Sequence, residues 1–163
     1  MVSVETSLMA TKTNNLPVLA GFLPYQLSIA SNAVSGRIAE LYQARFDLKI
    51  AEWRIMAVLG EAEARTQREL AALTLMDKVA VNRACKVLED RGLVGRRPNA
   101  QDGRSHHVAL TAAGRAIYGQ IMPLARDVEA QLLQPFTDGE REVLRDLLGR
   151  LWIAAGGIEA AES

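Results

Sequence analysis

The sequence of 163 residues has little of what several common classes of protein depend on. It contains one cysteine and two histidines, its aromatic content is 5%, and its formal net charge is zero. A single cysteine excludes an intramolecular disulfide framework and is typical of proteins from reducing compartments. A chain without net charge is also a poor candidate for a nonspecific coat on nucleic acid.

Signals for membranes, metals and catalysis are equally scarce. The chain does not open on a basic segment followed by a long apolar run, and no stretch approaches the ~20 apolar residues that span a bilayer, so we expect a cytoplasmic protein. His106 and His107 do not predict a metal site, because neighbours on a strand point to opposite faces. With no Gly-rich phosphate loop and no nucleophile beside a base, the sequence predicts no enzyme and no cofactor.

What the chain does contain is a helical pattern, with 49% hydrophobic residues in a length that suits one domain. Apolar residues recur at helical spacing from Leu23 to Phe46 and again from about Ile50 to Glu61. A further long helix is expected after Thr111. The Thr-x-x-Glu sequence of Thr137 and Glu140 predicts the start of a last helix, which is apolar on more than one face.

Residues 66–91 predict two shorter helices that are joined by a tight turn. Thr66 and Glu69 form another capping box, Asp77 is a good N-cap for the second helix, and Gly92 tolerates the positive φ that ends it. The residues expected to face the core are Leu70, Leu73, Val81, Ala84 and Leu88.

A basic β-hairpin, which we call the wing, follows this helix pair. Two strand-like runs, Leu93–Val94 and Val108–Leu110, flank a turn-rich tip that ends in Arg104. Residues 76–107 contain seven lysines and arginines against four acidic residues, a local basic patch that fits site-specific DNA binding. The expected fold is all-α with a small β-wing, in which a helix enters the major groove and Arg104 reaches the minor groove.

Over these residues the chain resembles the MarR family of dimeric winged-helix transcriptional regulators. The resemblance extends over roughly residues 22–155 and implies a regulator, most often a repressor, that a small ligand releases from DNA. Lys49 stands where the family often has a Ser or Thr cap, and Val79 and Ala80 stand where it often has small hydroxyl residues facing DNA. The matching stretches are Glu52-Trp53-Arg54-Ile55, the helix pair 66–91, the junction 91–94, the wing signature Asp102-Gly103-Arg104, and Leu110-Thr111 followed by Gly114.

The polar face of the second short helix carries the candidate base contacts. Asn82 and Arg83 suit adenine or guanine edges, and Lys86 suits a phosphate. Val79 and Ala80 could touch thymine methyl groups, although Val79 could equally pack against the turn. The predicted DNA-binding residues are Gln67, Lys78, Val79, Ala80, Asn82, Arg83, Lys86, Arg97 and Arg104.

Three of the candidate DNA contacts lie outside that helix. Arg104 either enters the minor groove or is a solvated turn residue. Arg96 and Arg97 alternate across a strand, so only one of them is expected to face phosphates. Gln67, in the first turn of its helix, is a candidate phosphate contact.

The outer helices are long and apolar, and in the resembling family such helices interlock with those of a second copy as the dimer interface. The alternative is a monomer in which these helices fold back on the winged unit. The expected segments are a mobile N-terminal tail at residues 1–20, a dimerisation helix at 21–48, a winged helix-turn-helix at 49–111 and dimerisation helices at 112–163.

A ligand cleft is expected where the dimerisation helices meet the winged unit. An apolar cleft with a few polar groups suits an aromatic acid or its thioester. The serine and asparagine side chains could instead face solvent or cap neighbouring backbone. The candidate ligand-binding residues are Ser28, Asn32, Ser35, Trp53, Met56, Ile117 and Ile121.

The function predicted from the sequence is a homodimeric repressor that leaves a pseudo-palindromic operator when a small effector binds. Two alternatives remain open. One is a redox-responsive regulator triggered through Cys85, although a small buried cysteine is a common core residue. The other is a winged-helix module that binds protein rather than DNA.

Overall fold

A computed structural model of the protein describes residues 19–98 and 106–157. The expected N-terminal tail lies almost wholly outside these residues, and so does the wing tip with Arg104. The chain divides into two units, one that extends up to Ala33 and one that extends from Val34 onwards. The described part of the first unit is a 3-10 turn, Leu19–Gly21, followed by the start of a long helix, α1, at Leu23–Phe46.

The larger unit contains the rest of α1 and every later element. The predicted bounds of the first two helices are confirmed, and the chain then alternates short helices with short strands. In chain order the elements after α1 are α2 (Ile50–Glu61), β1 (Arg65–Thr66), α3 (Gln67–Thr74), α4 (Lys78–Asp90), β2 (Val94–Pro98), β3 (His106–Leu110), α5 (Ala112–Leu132) and α6 (Asp138–Ala154).

The strands form one antiparallel sheet in the order β1–β3–β2. Strands β2 and β3 are the two arms of the predicted wing, and Val94 lies opposite Leu110 at its base. The two-residue strand β1, which the sequence did not indicate, places Thr66 opposite His107. The wing is therefore paired directly with the residue that caps the start of α3.

The core of the larger unit lies between α2, α3, α4 and the base of the sheet. The predicted inward face of α4 is confirmed, since Val81, Ala84 and Leu88 are all buried. The same prediction for Leu73 is wrong, because its side chain is 54% exposed. Helix α3 ends at Thr74, and the chain turns there through a left-handed residue, Leu75, so the last turn of α3 leaves the core.

The helix starts follow the local signals in the sequence. At the start of α3, the Thr66 N–H donates to the Glu69 carboxylate at 2.7 Å and the Glu69 N–H donates back to the Thr66 hydroxyl at 3.2 Å. Thr137 and Glu140 repeat this arrangement at α6, and the Ala80 N–H donates to Asp77 at α4.

Helix α2 has Lys49 at its N-cap position, and the N–H of this residue is bonded by a side chain from the first turn of the helix. The carboxylate of Glu52, which is itself buried, accepts the Lys49 N–H at 2.9 Å. This bond satisfies the N–H of the cap residue itself, and it is one half of a capping box.

The exit from the wing is packed closely onto the end of α4. The Thr111 N–H donates to the Leu93 carbonyl at 3.0 Å, and the Thr111 hydroxyl donates to the Gly92 carbonyl at 2.7 Å. Gly114, in the first turn of α5, lies against the Leu93 carbonyl so closely that an added Cβ would overlap it. This junction fixes where α5 leaves the winged unit.

Helix α6 contains no buried residue. Its apolar side chains, which include Val143, Leu147 and Ile153, are exposed on more than one face, as the sequence predicted. None of the described helices combines the length and the hydropathy needed to cross a membrane.

Candidate nucleic-acid interface

Helix α4 has two sharply different faces. Val81, Ala84, Cys85 and Leu88 are buried, whereas the opposite side is open to solvent. Val79, near the N-terminus of α4, is 67% exposed and is not packed against the turn. The exposed face carries Lys78, Val79, Asn82, Arg83 and Lys86, and Ala80 is half-buried at its edge.

Two acidic residues near the end of α4 pair with basic residues. Lys86 Nζ lies 2.7 Å from an oxygen of Asp90, and both side chains are largely exposed. The Asp90 carboxylate raises the pKa of Lys86, mainly by accepting a hydrogen bond from it. Arg96 Nε lies 3.0 Å from Glu89. The positive charge of Lys86 and Arg96 is therefore partly compensated on this face.

The two strand arginines differ in what they face. Both are exposed, but the Arg96 side chain is directed to Glu89 of α4, whereas Arg97 lies opposite His107 in the hairpin. Arg97 is thus the better placed of the two for a phosphate. The position of Arg104 cannot be added to this surface, because the wing tip lies outside the described residues.

The side chain of Gln67 links α3 to α4. Its side-chain amide donates to the side-chain oxygen of Asn82, Oδ1, at 3.4 Å. Gln67 was predicted to bind phosphate, and in the structure its amide contacts a residue on the exposed face of α4. Neighbouring Arg68 is exposed in the same first turn of α3, a position that the sequence analysis did not single out.

Cys85 is only 1% exposed and lies on the inner side of α4. Burial raises the pKa of its thiol. A thiol that is protonated and screened from solvent reacts slowly with oxidants. These properties favour a core role over the redox role that the sequence left open.

Arg91 makes a contact that sequence reasoning missed. Its guanidinium donates to the carbonyls of Phe46 at 2.6 Å and Asp47 at 2.8 Å, at the end of α1. The two partners are more than forty residues away, so no local pattern could have indicated them.

A cavity of about 540 Å³ opens among α1, α2, α5 and α6 of the larger unit. Its walls are mainly apolar and include Ile38, Trp53, Ala57 and Leu148. Its charged side chains are Arg126, Glu129, Arg141 and Arg145. The Arg141 guanidinium donates to the Leu133 carbonyl at the end of α5.

The predicted ligand residues do not all line this cavity. Trp53 does, but Met56 and Ile121 are 0% and 1% exposed in the core, and Ile117 packs against that core. The prediction that Met56 and Ile121 line the ligand cleft is therefore corrected. A fully buried side chain cannot touch a ligand unless the core around it repacks.

The three polar candidates of α1 are distributed over both units. Ser28 and Asn32 are exposed residues of the N-terminal unit. Ser35 is a half-buried residue of the larger unit and does not line the cavity.

Trp53, in the cavity wall, stacks with one tyrosine ring from α1 and one from α5. Its ring centroid lies 5.5 Å from that of Tyr42 and 6.0 Å from that of Tyr118. The Tyr118 hydroxyl donates to Glu61, at the end of α2, at 2.6 Å, and this bond is the main reason that the pKa of Tyr118 is raised. A molecule that touches Trp53 would thus contact a stack that reaches α5 and the end of α2.

Within residues 19–98 and 106–157, no three His, Cys, Asp or Glu side chains come together in a way that could hold a metal ion. His107 faces Thr66 and Arg97 across the sheet, and His106 faces Pro98.

Comparison with known proteins gives consistent matches. The model of the MarR family matches residues 46–105. The HTH-type transcriptional repressor Rv2887 of Mycobacterium tuberculosis is 26% identical over 132 residues, which cover 80% of this chain and 91% of the relative. The crystal structure of the MarR family transcriptional regulator SPO1453 from Silicibacter pomeroyi is 33% identical, with a TM-score of 0.71, and the match covers 82% of this chain and 98% of that one.

A more distant structure adds a likeness of fold alone. CouR from Rhodococcus jostii, crystallised with p-coumaroyl-CoA bound, is 21% identical with a TM-score of 0.72, and the match covers 83% of this chain and 95% of that chain.

Proposed function

Because the chain belongs to the MarR family of winged-helix transcriptional regulators, we propose that it is a homodimeric repressor that binds a pseudo-palindromic operator and is released by a small effector. The observation that carries the DNA-binding part is the exposed face of α4, where amide and cationic side chains stand opposite a fully buried apolar face. A helix built in this way can enter a major groove without disturbing its own core.

The test of DNA binding starts from an operator selected in vitro from random duplexes. The logarithm of its association constant should fall linearly as the logarithm of the salt concentration rises, with a slope of about −0.9 for each phosphate neutralised. Arg83→Ala should weaken binding and relax the base preference at one position, by about 1–3 kcal/mol. Arg97→Ala should weaken all duplexes equally and reduce the slope by about one. Failure to enrich any duplex would favour the protein-binding alternative.

Arg104 at the wing tip enters the same assay as a minor-groove contact. Arg104→Ala should leave the folded state intact and weaken operator binding by about 1–3 kcal/mol. Unchanged affinity at fixed salt would remove the wing from the mechanism.

The dimer rests on the exposed apolar surface of α6. An isolated helix with apolar residues on more than one face is poorly soluble unless another surface covers it, and a second copy does so symmetrically. Light scattering should give twice the 17.8 kDa chain mass. Deletion of residues 137–163 should give weakly associating or insoluble protein, and a soluble folded monomer after that deletion would contradict this interface.

The effector site that we propose is the cavity beside Trp53. Its apolar walls suit an aromatic ring, and the guanidinium groups of Arg126 and Arg145 suit a carboxylate, so an aromatic acid or its thioester is the proposed class. The ligand of the CouR structure, p-coumaroyl-CoA, is a thioester of an aromatic acid and supports this class by analogy.

The effector is tested in a Trp152→Phe variant, which leaves Trp53 as the single tryptophan. An aromatic acid that binds should change Trp53 emission and lower operator affinity, and operator DNA should lower the affinity for the acid by the same factor. Ala57→Leu, which fills part of the cavity wall, should abolish the emission change while operator binding remains.

The redox alternative makes the opposite prediction in the same assay. If a panel of aromatic acids and thioesters changes neither signal while a thiol oxidant releases the operator, the cavity is not the trigger. Cys85 would then be the residue that responds.

A further inference from the structure

Helix α1 ends in a turn that leaves carbonyl groups without helical partners. Asp47 adopts a positive φ of 49°, its N–H donates to the Gln43 carbonyl at 3.1 Å, and the Leu48 N–H reaches the Tyr42 carbonyl at 3.5 Å. Leu48 is buried, so the turn is anchored in the core. The carbonyls of the last helical turn and of the turn itself point away from the helix and need donors from elsewhere.

Arg91 supplies these donors from the end of α4, the helix proposed to enter the major groove and called here the recognition helix. Nη2 donates to the Phe46 carbonyl and Nη1 to the Asp47 carbonyl, so both arms of the guanidinium are used. Arg91 is also the C-cap residue of α4, where its own N–H donates to the Val87 carbonyl at 3.1 Å. A single side chain therefore joins the end of α1 to the end of α4.

The geometry of this contact constrains the orientation of the Arg91 guanidinium as well as its distance from the two carbonyls. A guanidinium is flat, and hydrogen bonds from both of its terminal nitrogens restrict its plane as well as its position. Its positive charge also lies at the C-terminus of α1, where the helix dipole favours a cation. Gly92, with a φ of 68°, follows Arg91 and turns the chain at once into the wing. The contact thus joins the C-cap of α4 to the last residue of α1 and to the turn residue that follows it.

An exposed arginine often makes surface contacts that matter little, and in a DNA-binding protein it can instead bind a phosphate. In either role, the orientation of α4 relative to α1 would be determined by core packing alone. The two short bonds to consecutive carbonyls of one helix end favour a positioning role over both.

We propose that Arg91 is a positioning residue that holds the recognition helix at a fixed orientation on α1, and thereby sets the separation of the two recognition helices in the dimer. The inference rests on the proposed function, because α1 must belong to the dimer for its orientation to determine that separation. Two recognition helices bind together only when their separation matches the half-site spacing of the duplex.

The experiment measures affinity as a function of half-site spacing. Duplexes carry the selected operator with its two half-sites moved closer or farther apart by one or two base pairs, in roughly the range around one helical turn. The wild type is compared with Arg91→Ala and Arg91→Lys, the second of which keeps the charge but loses the flat fork. Arg45→Ala is the matched control, since it removes an exposed arginine from the same end of α1 and leaves the two carbonyl bonds in place.

The wild type and Arg45→Ala should prefer one spacing sharply. Arg91→Ala should bind that spacing about tenfold more weakly and should distinguish poorly between spacings, because simultaneous engagement is lost once the geometry varies. Arg91→Lys should lie between them. A spacing profile of unchanged shape in both Arg91 variants would overturn the proposal, whether or not the melting temperature falls. An unchanged profile with a salt slope reduced by about one would identify a phosphate contact instead.

A measurement without DNA covers the case in which Arg91→Ala folds poorly. Spin labels are attached at Val79→Cys in a Cys85→Ala background, and the distance between the two labels of a dimer is recorded in full-length protein with Arg91 or with Arg91→Lys. The distribution should broaden in the lysine variant, and an unchanged distribution would contradict the positioning role. A wild type that binds single half-sites as tightly as paired ones would overturn this proposal together with the proposed function, whereas a loss confined to the Arg91 variants leaves the proposed function intact.

Discussion

Replacing Gly114 by alanine sets two physical effects against each other, and their magnitudes decide the result. Alanine is favoured over glycine inside a helix by about 1 kcal/mol. At Gly114, however, the new Cβ would overlap the carbonyl oxygen of Leu93 and lie 3.0 Å from its carbonyl carbon. Because that neighbour is backbone, no rotamer change can relieve the overlap, and α5 must move away from the end of α4.

The movement also breaks the hydrogen bonds of the wing junction. The Thr111 N–H to Leu93 carbonyl bond and the Thr111 hydroxyl to Gly92 carbonyl bond both depend on this close approach. Overpacking costs about 1–3 kcal/mol, and each lost bond costs about 1 kcal/mol. After the helical gain is subtracted, Gly114→Ala should lower the free energy of unfolding by about 2–4 kcal/mol, a large part of the roughly 5–15 kcal/mol that holds a typical domain.

The same helix contains a matched control. Gly119 also lies inside α5, but no heavy atom is within 4 Å of a Cβ added there. Gly119→Ala should therefore raise the free energy of unfolding, by up to about 1 kcal/mol. Urea denaturation at one fixed protein concentration measures both variants, since dimerisation makes stability depend on concentration. If Gly114→Ala is as stable as Gly119→Ala, then α5 does not pack on the end of α4 as described.

Three further outcomes test the interface and its surroundings. Asp90→Asn should raise operator affinity several-fold and steepen its salt dependence, because Lys86 no longer shares its charge with a neighbouring carboxylate; Asp146→Asn, which breaks a comparable pair in α6, should do neither. Cys85 should react slowly with a thiol reagent in the native protein and quickly in urea, and Cys85→Ala should keep operator binding; fast native labelling would contradict its burial. The pKa of Glu69 is lowered, chiefly by the backbone N–H it accepts in the α3 cap, so its stabilising effect is present above the ordinary carboxyl pKa and is lost as the pH falls through the lowered value. Glu69→Gln should remove this part of the pH dependence of urea unfolding, and an unchanged dependence would exclude the cap as its source.

Features that depend on a few consecutive residues were predictable from the sequence. The caps at Thr66, Asp77 and Thr137 are local hydrogen bonds, and the structure places helix starts at each of them. The inward face of α4 follows from helical periodicity, because thirteen residues show the repeat several times. Helix α3 has eight residues, too few to show the repeat clearly. Leu73 was therefore assigned to the core, although it lies in the last helical turn, which leaves the core.

Features that depend on tertiary packing were not predictable in this way. Periodicity identified Met56 and Ile121 as apolar but could not distinguish the wall of a cavity from the centre of the core. The wall is supplied in part by α6, which is far from Trp53 in the sequence. The contacts of Arg91 with the end of α1 are likewise invisible locally, since an arginine before a glycine is equally consistent with a solvated helix end.

The separation of α4 into a buried and an exposed face has a consequence for how such a regulator can diverge after gene duplication. In the proposed interface, substitutions at Val79 or Arg83 alter the surface offered to DNA without touching the packed residues behind them, and exposed substitutions usually change stability by less than about 0.5 kcal/mol. A copy of this protein can therefore acquire a new target sequence in single steps, each of which yields a folded protein. Selection for a new operator and selection for a stable fold act here on different residues of the same helix.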